Sequence, residues 1–138
     1  MKRIFIDTWA WVALVDRQDS NHVKADLTNQ QLLDDGYFFV TSNLVFGEAL
    51  TTLRYQVGYE DAVRFREILT RLIKGRLLKA LRVTEAIEEE AWQIFTKYHD
   101  QDFSWVDCTS FAIMKREPLK EVFTQDHHFR IMGFITHS

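Results

Sequence analysis

A chain of 138 residues has the size of one domain and can bury a core of ordinary size. Its 46% hydrophobic and 27% charged residues exclude a disordered chain, and no run approaches the ~18 to 20 apolar residues of a membrane helix. The single Cys108 excludes an internal disulfide and a thiolate metal site, and the net charge of -3 means that attraction to nucleic acid would have to be local.

Only Ile4 to Ile6 separates Lys2 and Arg3 from Asp7, which is no signal-peptide core, so a cytoplasmic protein is expected. The apolar run Ile4-Phe5-Ile6 reads as a buried strand. A buried strand tolerates charge only at its end, which puts Asp7 at the carboxyl edge of a sheet, where open α/β folds bind ligands. The chain then turns into Trp9 to Leu14. Asn21 is a suitable N-cap for a first long helix reaching Asp35, with Gly36 closing it. Further strands are expected at Tyr37 to Thr41, Leu77 to Val83, Glu121 to Phe123 and Met132 to Ile135. Helices are expected from Ser42 to Gln56, Tyr59 to Lys74, Thr84 to Tyr98, and Ser104 to a stop before Pro118. Strands alternating with helices imply an α/β fold, a parallel sheet of about five strands flanked by helices in one domain over 1–138.

Four acids stand at comparable places. Asp7 ends the first strand, Glu48 lies in the helix after the second, Asp107 is in the first turn of the last long helix, and Asp126 follows the fourth strand. Carboxyl ends of parallel strands share one side of a sheet, so the four can meet. Their mutual repulsion then needs protons or a cation to balance it, and oxygen-only ligands suit Mg²⁺ or Mn²⁺. The chemistry this points to is metal-assisted attack of water on a phosphodiester. Each acid also has a plainer use: Ser104-Trp105-Val106-Asp107 is a fair capping box, Asp7 a strand-end turn residue, Glu48 a surface residue and Asp126 a turn cap.

Several stretches resemble the successive motifs of the PIN domain: Phe5-Ile6-Asp7-Thr8, Thr41-Ser42-Asn43 with Glu48, Asp102 to Asp107, and Phe123 to Phe129 with Gly133-Phe134. The resemblance covers the whole chain in order and is nearest to the VapC-type toxins of toxin-antitoxin pairs. It implies a five-stranded parallel sheet between helices and a Mg²⁺- or Mn²⁺-dependent endoribonuclease with one or two ions. Asp7, Glu48, Asp107 and Asp126 would be the acidic residues, and Thr8, Ser42 and Ser104 polar supporting ones. It also implies a homodimer held inactive by an antitoxin protein. Trp9 departs from the family, where a small or polar residue is common; it could narrow the cleft, stack a base or be core. Asp102 matches a variable position and is left out of the acidic set.

For RNA, the stretch Arg64 to Arg82 carries seven cations against Glu67, a local charge of +6. Arg64, Arg71 and Arg76 are its candidate RNA contacts, unless this is simply a solvated helix face. Tyr55 and Tyr59 could stack bases or pack a helix end, and His127 and His128 read as exposed turn residues. Other folds fit less well. A receiver domain needs an acidic pair at the first strand and a lysine after the last, and a dehalogenase-type phosphatase needs an aspartate where Trp9 stands. A PIN-like module that binds RNA or protein without catalysis has no reason to keep four repelling acids, and a flap-type DNA nuclease needs clamping elements the chain has no room for.

Overall fold

β1 (Arg3–Ile6) is the centre of the molecule. In the computed structural model, which describes residues 1–138, it lies between β2 (Phe38–Ser42) and β4 (Glu121–Phe123); β3 (Leu78–Leu81) and β5 (Ile135–His137) complete an all-parallel sheet of order β3-β2-β1-β4-β5. Ile4, Phe5 and Ile6 are fully buried, as a strand covered on both faces requires. The sheet is flanked by seven helices: α1 (Thr8–Val15), α2 (His22–Asp34), α3 (Asn43–Gln56), α4 (Tyr59–Lys74), α5 (Glu85–Lys97), α6 (Trp105–Arg116) and α7 (His128–Ile131). Their apolar faces meet the sheet in one core cluster.

Besides a one-residue shift of β2 from the expected Tyr37 to Thr41 to Phe38–Ser42, the sequence expectations differ from this fold in four places. α1 was not expected as a helix, because Trp9 to Leu14 is apolar all round and has no 3.6-residue stripe. Ala10, Trp11, Val12 and Ala13 are all buried there. Trp11 also donates its indole N–H to the Thr41 hydroxyl at 3.2 Å, and that hydroxyl donates to the Ile6 carbonyl at 3.0 Å, tying α1 to β2 and β1. The last strand lies at Ile135–His137 rather than Met132 to Ile135: the chain first makes α7 and turns at Gly133, whose φ of +89° suits glycine. β3 is shorter than Leu77 to Val83, with Leu77 exposed before it. At the start of α2, Asn21 makes no side-chain cap; the Asp19 carboxylate instead accepts the Asn21 N–H at 2.8 Å.

Because all strands are parallel, Asp7, Ser42, Arg82 and Thr124 follow or end their strands on one edge. The Asp7 N–H donates to the Phe123 carbonyl at 3.2 Å and holds the ends of β1 and β4 together.

Candidate active site

At that carboxyl edge lies a cleft of about 440 Å³ lined by Asp7, Thr8, Trp9, Glu48, Ser104, Asp107, Gln125, Asp126 and His128. All four expected acids face it. They share the cleft rather than touch, and each is held differently.

Asp7 is 5% exposed, and burial pushes its carboxyl up to about 7. The Thr124 hydroxyl, donating to Oδ2 at 2.9 Å, and the Thr8 amide pull it down, while the charges of Asp107 and Asp126 push it up again. Asp107 is both things the sequence allowed. Its Oδ2 accepts the Ser104 N–H at 3.1 Å while the Ser104 hydroxyl accepts the Asp107 N–H at 3.0 Å, which is a complete capping box, and its carboxylate still lines the cleft. Burial raises the Asp107 carboxyl, the Ser104 amide lowers it, and Asp126 raises it while His128 lowers it. Asp126 is held by a local turn in which its Oδ1 accepts the His128 N–H at 2.9 Å. Glu48, exposed on α3, has its carbonyl engaged by Thr52 and its carboxylate free.

Of the supporting residues, Ser104 and Thr8 line the cleft, and the Thr8 hydroxyl is buried with no hydrogen-bond partner. Ser42 is not brought there. It is fully buried and caps α3 by accepting the Val45 N–H at 3.1 Å. Trp9 lines the cleft while packing against Phe123 at 6.2 Å between ring centres, so it is wall and core together.

Two residues were missed. Thr124 is the residue after β4, next to Asp7 in the sheet, and the same strand-end rule that singled out Asp7 would have found it. His128 was expected to be exposed, yet its side chain is only 17% accessible. Its Nδ1 lies 3.3 Å from both Asp107 Oδ2 and Asp126 Oδ1, and its ring rests edge-on against Phe103 at 5.2 Å. The start of α7 turns it inward, and nothing local in the sequence signals that. His127, 66% exposed, is the surface residue of the pair. Asp126, His127 and His128 nevertheless offer ligand atoms within 4.8 Å of one another.

The basic segment divides. Arg64 is paired with Asp61 at 2.8 Å, Arg71 sits in the last turn of α4, and Arg76 lies in the turn entering β3, at the amino edge opposite the acids. Arg66 and Arg82 instead line a 210 Å³ groove with Thr41 and Asn43 at the carboxyl side.

Residues 4–135 match the family described as PIN domain. The chain belongs to the PIN-domain family. It is 32% identical over 132 residues to the 23S rRNA-specific endonuclease VapC20 of Mycobacterium tuberculosis, covering 96% of this chain and 95% of that protein. The crystal structure of that Sarcin-Ricin loop cleaving toxin superposes with a TM-score of 0.82 at 30% identity over 96% of each chain. More distant solved structures share the fold. These are Rickettsia felis VapBC2 bound to a promoter DNA fragment (TM-score 0.70, 13% identity, 98% and 97% covered) and FitAcB from Neisseria gonorrhoeae (0.65, 20%, 98% and 96%). Membership of the PIN family sets aside the receiver and phosphatase alternatives. No helix is long and apolar enough to cross a membrane.

Proposed function

We propose that this PIN domain is a divalent-cation-dependent endoribonuclease and the toxin of a toxin-antitoxin pair. The observation that carries the proposal is the convergence of Asp7, Glu48, Asp107 and Asp126 on one cleft, where burial first, and the charges of Asp107 and Asp126 after it, raise the Asp7 pKa. A carboxylate kept in so unfavourable a place is useful only where something positive answers it. The donors are mostly oxygens and fit a hard cation: the four carboxylates and the unpartnered Thr8 hydroxyl, beside Ser104, Gln125 and the His128 ring.

Asp7 and Asp107 are the most direct ligands in this proposal, with Asp126 an outer ligand or the ligand of a second ion. Mg²⁺ or Mn²⁺ bound there would neutralise charge building up on the phosphate and make water a better nucleophile. Glu48, with its carboxylate free in the cleft, is a further ligand or orients the attacking water and takes its proton. Water adds to phosphorus, the bond from phosphorus to the 3′ oxygen breaks, and that oxygen takes up a proton. The products are a 3′-hydroxyl and a 5′-phosphate. His128 touches no reacting atom in this scheme; its Nδ1 lies between the Asp107 and Asp126 carboxylates and orients them.

The relative VapC20, which cleaves the Sarcin-Ricin loop of 23S rRNA, makes that loop the first substrate to test. Two apolar surfaces support protein partners, an antitoxin and a second copy of the chain. One is an open groove of about 580 Å³ between α1, α2 and α4, and the other is the pair Trp92 and Phe95 on α5, stacked at 5.6 Å. The test is the chemistry of the ends. Cut RNA should carry 5′-phosphates, appear only with Mg²⁺ or Mn²⁺, and vanish with EDTA. Cyclic 2′,3′-phosphate ends would mean attack by the RNA's own 2′-hydroxyl and would overturn the assignment.

A further inference from the structure

The acid cleft accounts for one phosphate, and an RNA strand has neighbours on both sides of it. We propose that the α3/α4 hairpin carries a second binding track, in which Tyr55 stacks a base of the flanking strand and Arg54, Arg66 and Arg82 hold its phosphates. The proposal rests on the ribonuclease assignment above and goes beyond it in naming where the strand runs.

α3 links the two regions. Glu48 lines the acid cleft, and Thr51 and Tyr55, three and seven residues on, continue the same helical stripe. Seven residues advance about 10 Å along a helix, roughly three stacked nucleotides at ~3.4 Å each and fewer if the strand is extended. Tyr55 is 83% exposed and packs on no other ring. It borders a 420 Å³ groove between α3 and α4, together with Arg54, Tyr59 and Arg66. The Arg54 guanidinium lies 5.0 Å above the Tyr59 ring, so part of this aromatic and cationic floor is already assembled. Arg66 borders this groove and also the 210 Å³ groove that contains Arg82, so the two lie side by side with Arg66 as their shared wall.

Charge decides what lies there. The ion pairs made by arginines are Arg3 with Glu117, Arg64 with Asp61 and Arg116 with Glu90, so Arg54, Arg66 and Arg82 are free to meet phosphates. The α5 side is the opposite: Glu85, Glu88 and Glu89 line a groove there with Trp92 and Trp105, which repels a polyanion. An RNA leaving the cleft is therefore drawn toward the hairpin. A second copy centred there is disfavoured, because a two-fold axis through the patch would set each arginine cluster against its own equivalent.

The experiment is steady-state cleavage, with Mn²⁺, of a long RNA and of a trinucleotide spanning the same cut site. The proteins compared are wild type, Tyr55→Ala, Tyr55→Phe, Arg66→Glu and Arg76→Glu, with sedimentation and circular dichroism on each. Tyr55→Ala and Arg66→Glu should raise KM for the long RNA about ten-fold, with kcat and trinucleotide cleavage unchanged. Tyr55→Phe should restore KM, and Arg76→Glu, at the opposite edge, should change it less than two-fold. A 2-aminopurine placed two or three nucleotides from the cut should be quenched by wild type and not by Tyr55→Ala. Unchanged KM in Tyr55→Ala and Arg66→Glu, or an equal effect of Arg76→Glu, overturns the track alone. A KM change that follows loss of a dimer in sedimentation would give the surface to a second copy and also overturn it. Failure of wild type to cut either RNA would instead overturn the ribonuclease assignment.

Discussion

Replacing Asp7 by Asn should stabilise the metal-free protein while abolishing activity. Burial holds the Asp7 carboxyl at about 7, against 3.8 for an unperturbed aspartate. The folded state thus keeps a proton that the unfolded chain gives up. Stability from this group is complete below pH 4, declines as pH rises through the interval from 3.8 to 7, and is gone above 7. Three pKa units at 1.36 kcal/mol each come to about 4 kcal/mol. Asn has the shape of the neutral acid and can still accept the Thr124 hydroxyl, so at pH 8 in EDTA it should recover up to that amount. With an unfolding entropy of ~2.1 cal/mol/K per residue, the melting temperature would rise by up to about 14 °C. The assay is thermal unfolding followed by circular dichroism at pH 8 and pH 4, with EDTA or with Mn²⁺. The variant should melt higher than wild type at pH 8, the gap should close at pH 4, and Mn²⁺ should stabilise wild type more than the variant. A variant that melts below wild type at pH 8 in EDTA would refute the reasoning, because Asp7 would then be supporting the fold as an ion.

Cation binding should depend on pH with a definite sign. Asp7 must lose its proton to bind a cation, so below about pH 7 the apparent affinity for Mn²⁺ should fall about ten-fold per pH unit, and excess Mn²⁺ should restore cleavage. A flat affinity between pH 5 and 7, measured calorimetrically, would contradict this. His128→Ala should weaken Mn²⁺ binding by about 10- to 100-fold, and His128→Asn, whose amide can replace Nδ1, should recover more of it than His128→Gln. Equal losses in all three variants would make the ring a packing residue only. Thr124→Val removes the hydroxyl that donates to Asp7 and accepts the Asp126 N–H, and should cost about 1 to 3 kcal/mol of stability in urea titration.

Much of this was legible because it follows from periodicity and strand ends. The β1 and β4 boundaries are as expected, α4 covers Tyr59–Lys74 as its stripe required, and the four acids share a cleft because parallel strands put their carboxyl ends on one side. What escaped depends on tertiary burial. α1 is buried all round and shows no amphipathic stripe, and the turn at Gly133 displaces β5 along the chain. His128 is turned inward by a helix of four residues, too short to leave a pattern. The basic segment appeared as one face in sequence, but α4 and the turn into β3 carry Arg66 toward the carboxyl side of the sheet and Arg76 to its amino edge. Charge counted along a chain does not reveal such a division.

The central claim, that the acid cleft holds a divalent cation and cuts RNA, is tested most directly by incubating the purified protein with 23S rRNA. The reaction would be run with Mg²⁺, Mn²⁺ or EDTA, beside Asp107→Asn. Discrete cleavage by wild type that needs the cation and disappears in a folded Asp107→Asn protein is the expected result. Cleavage that persists in EDTA or in Asp107→Asn, or no cleavage of any RNA by folded, antitoxin-free protein, would contradict it.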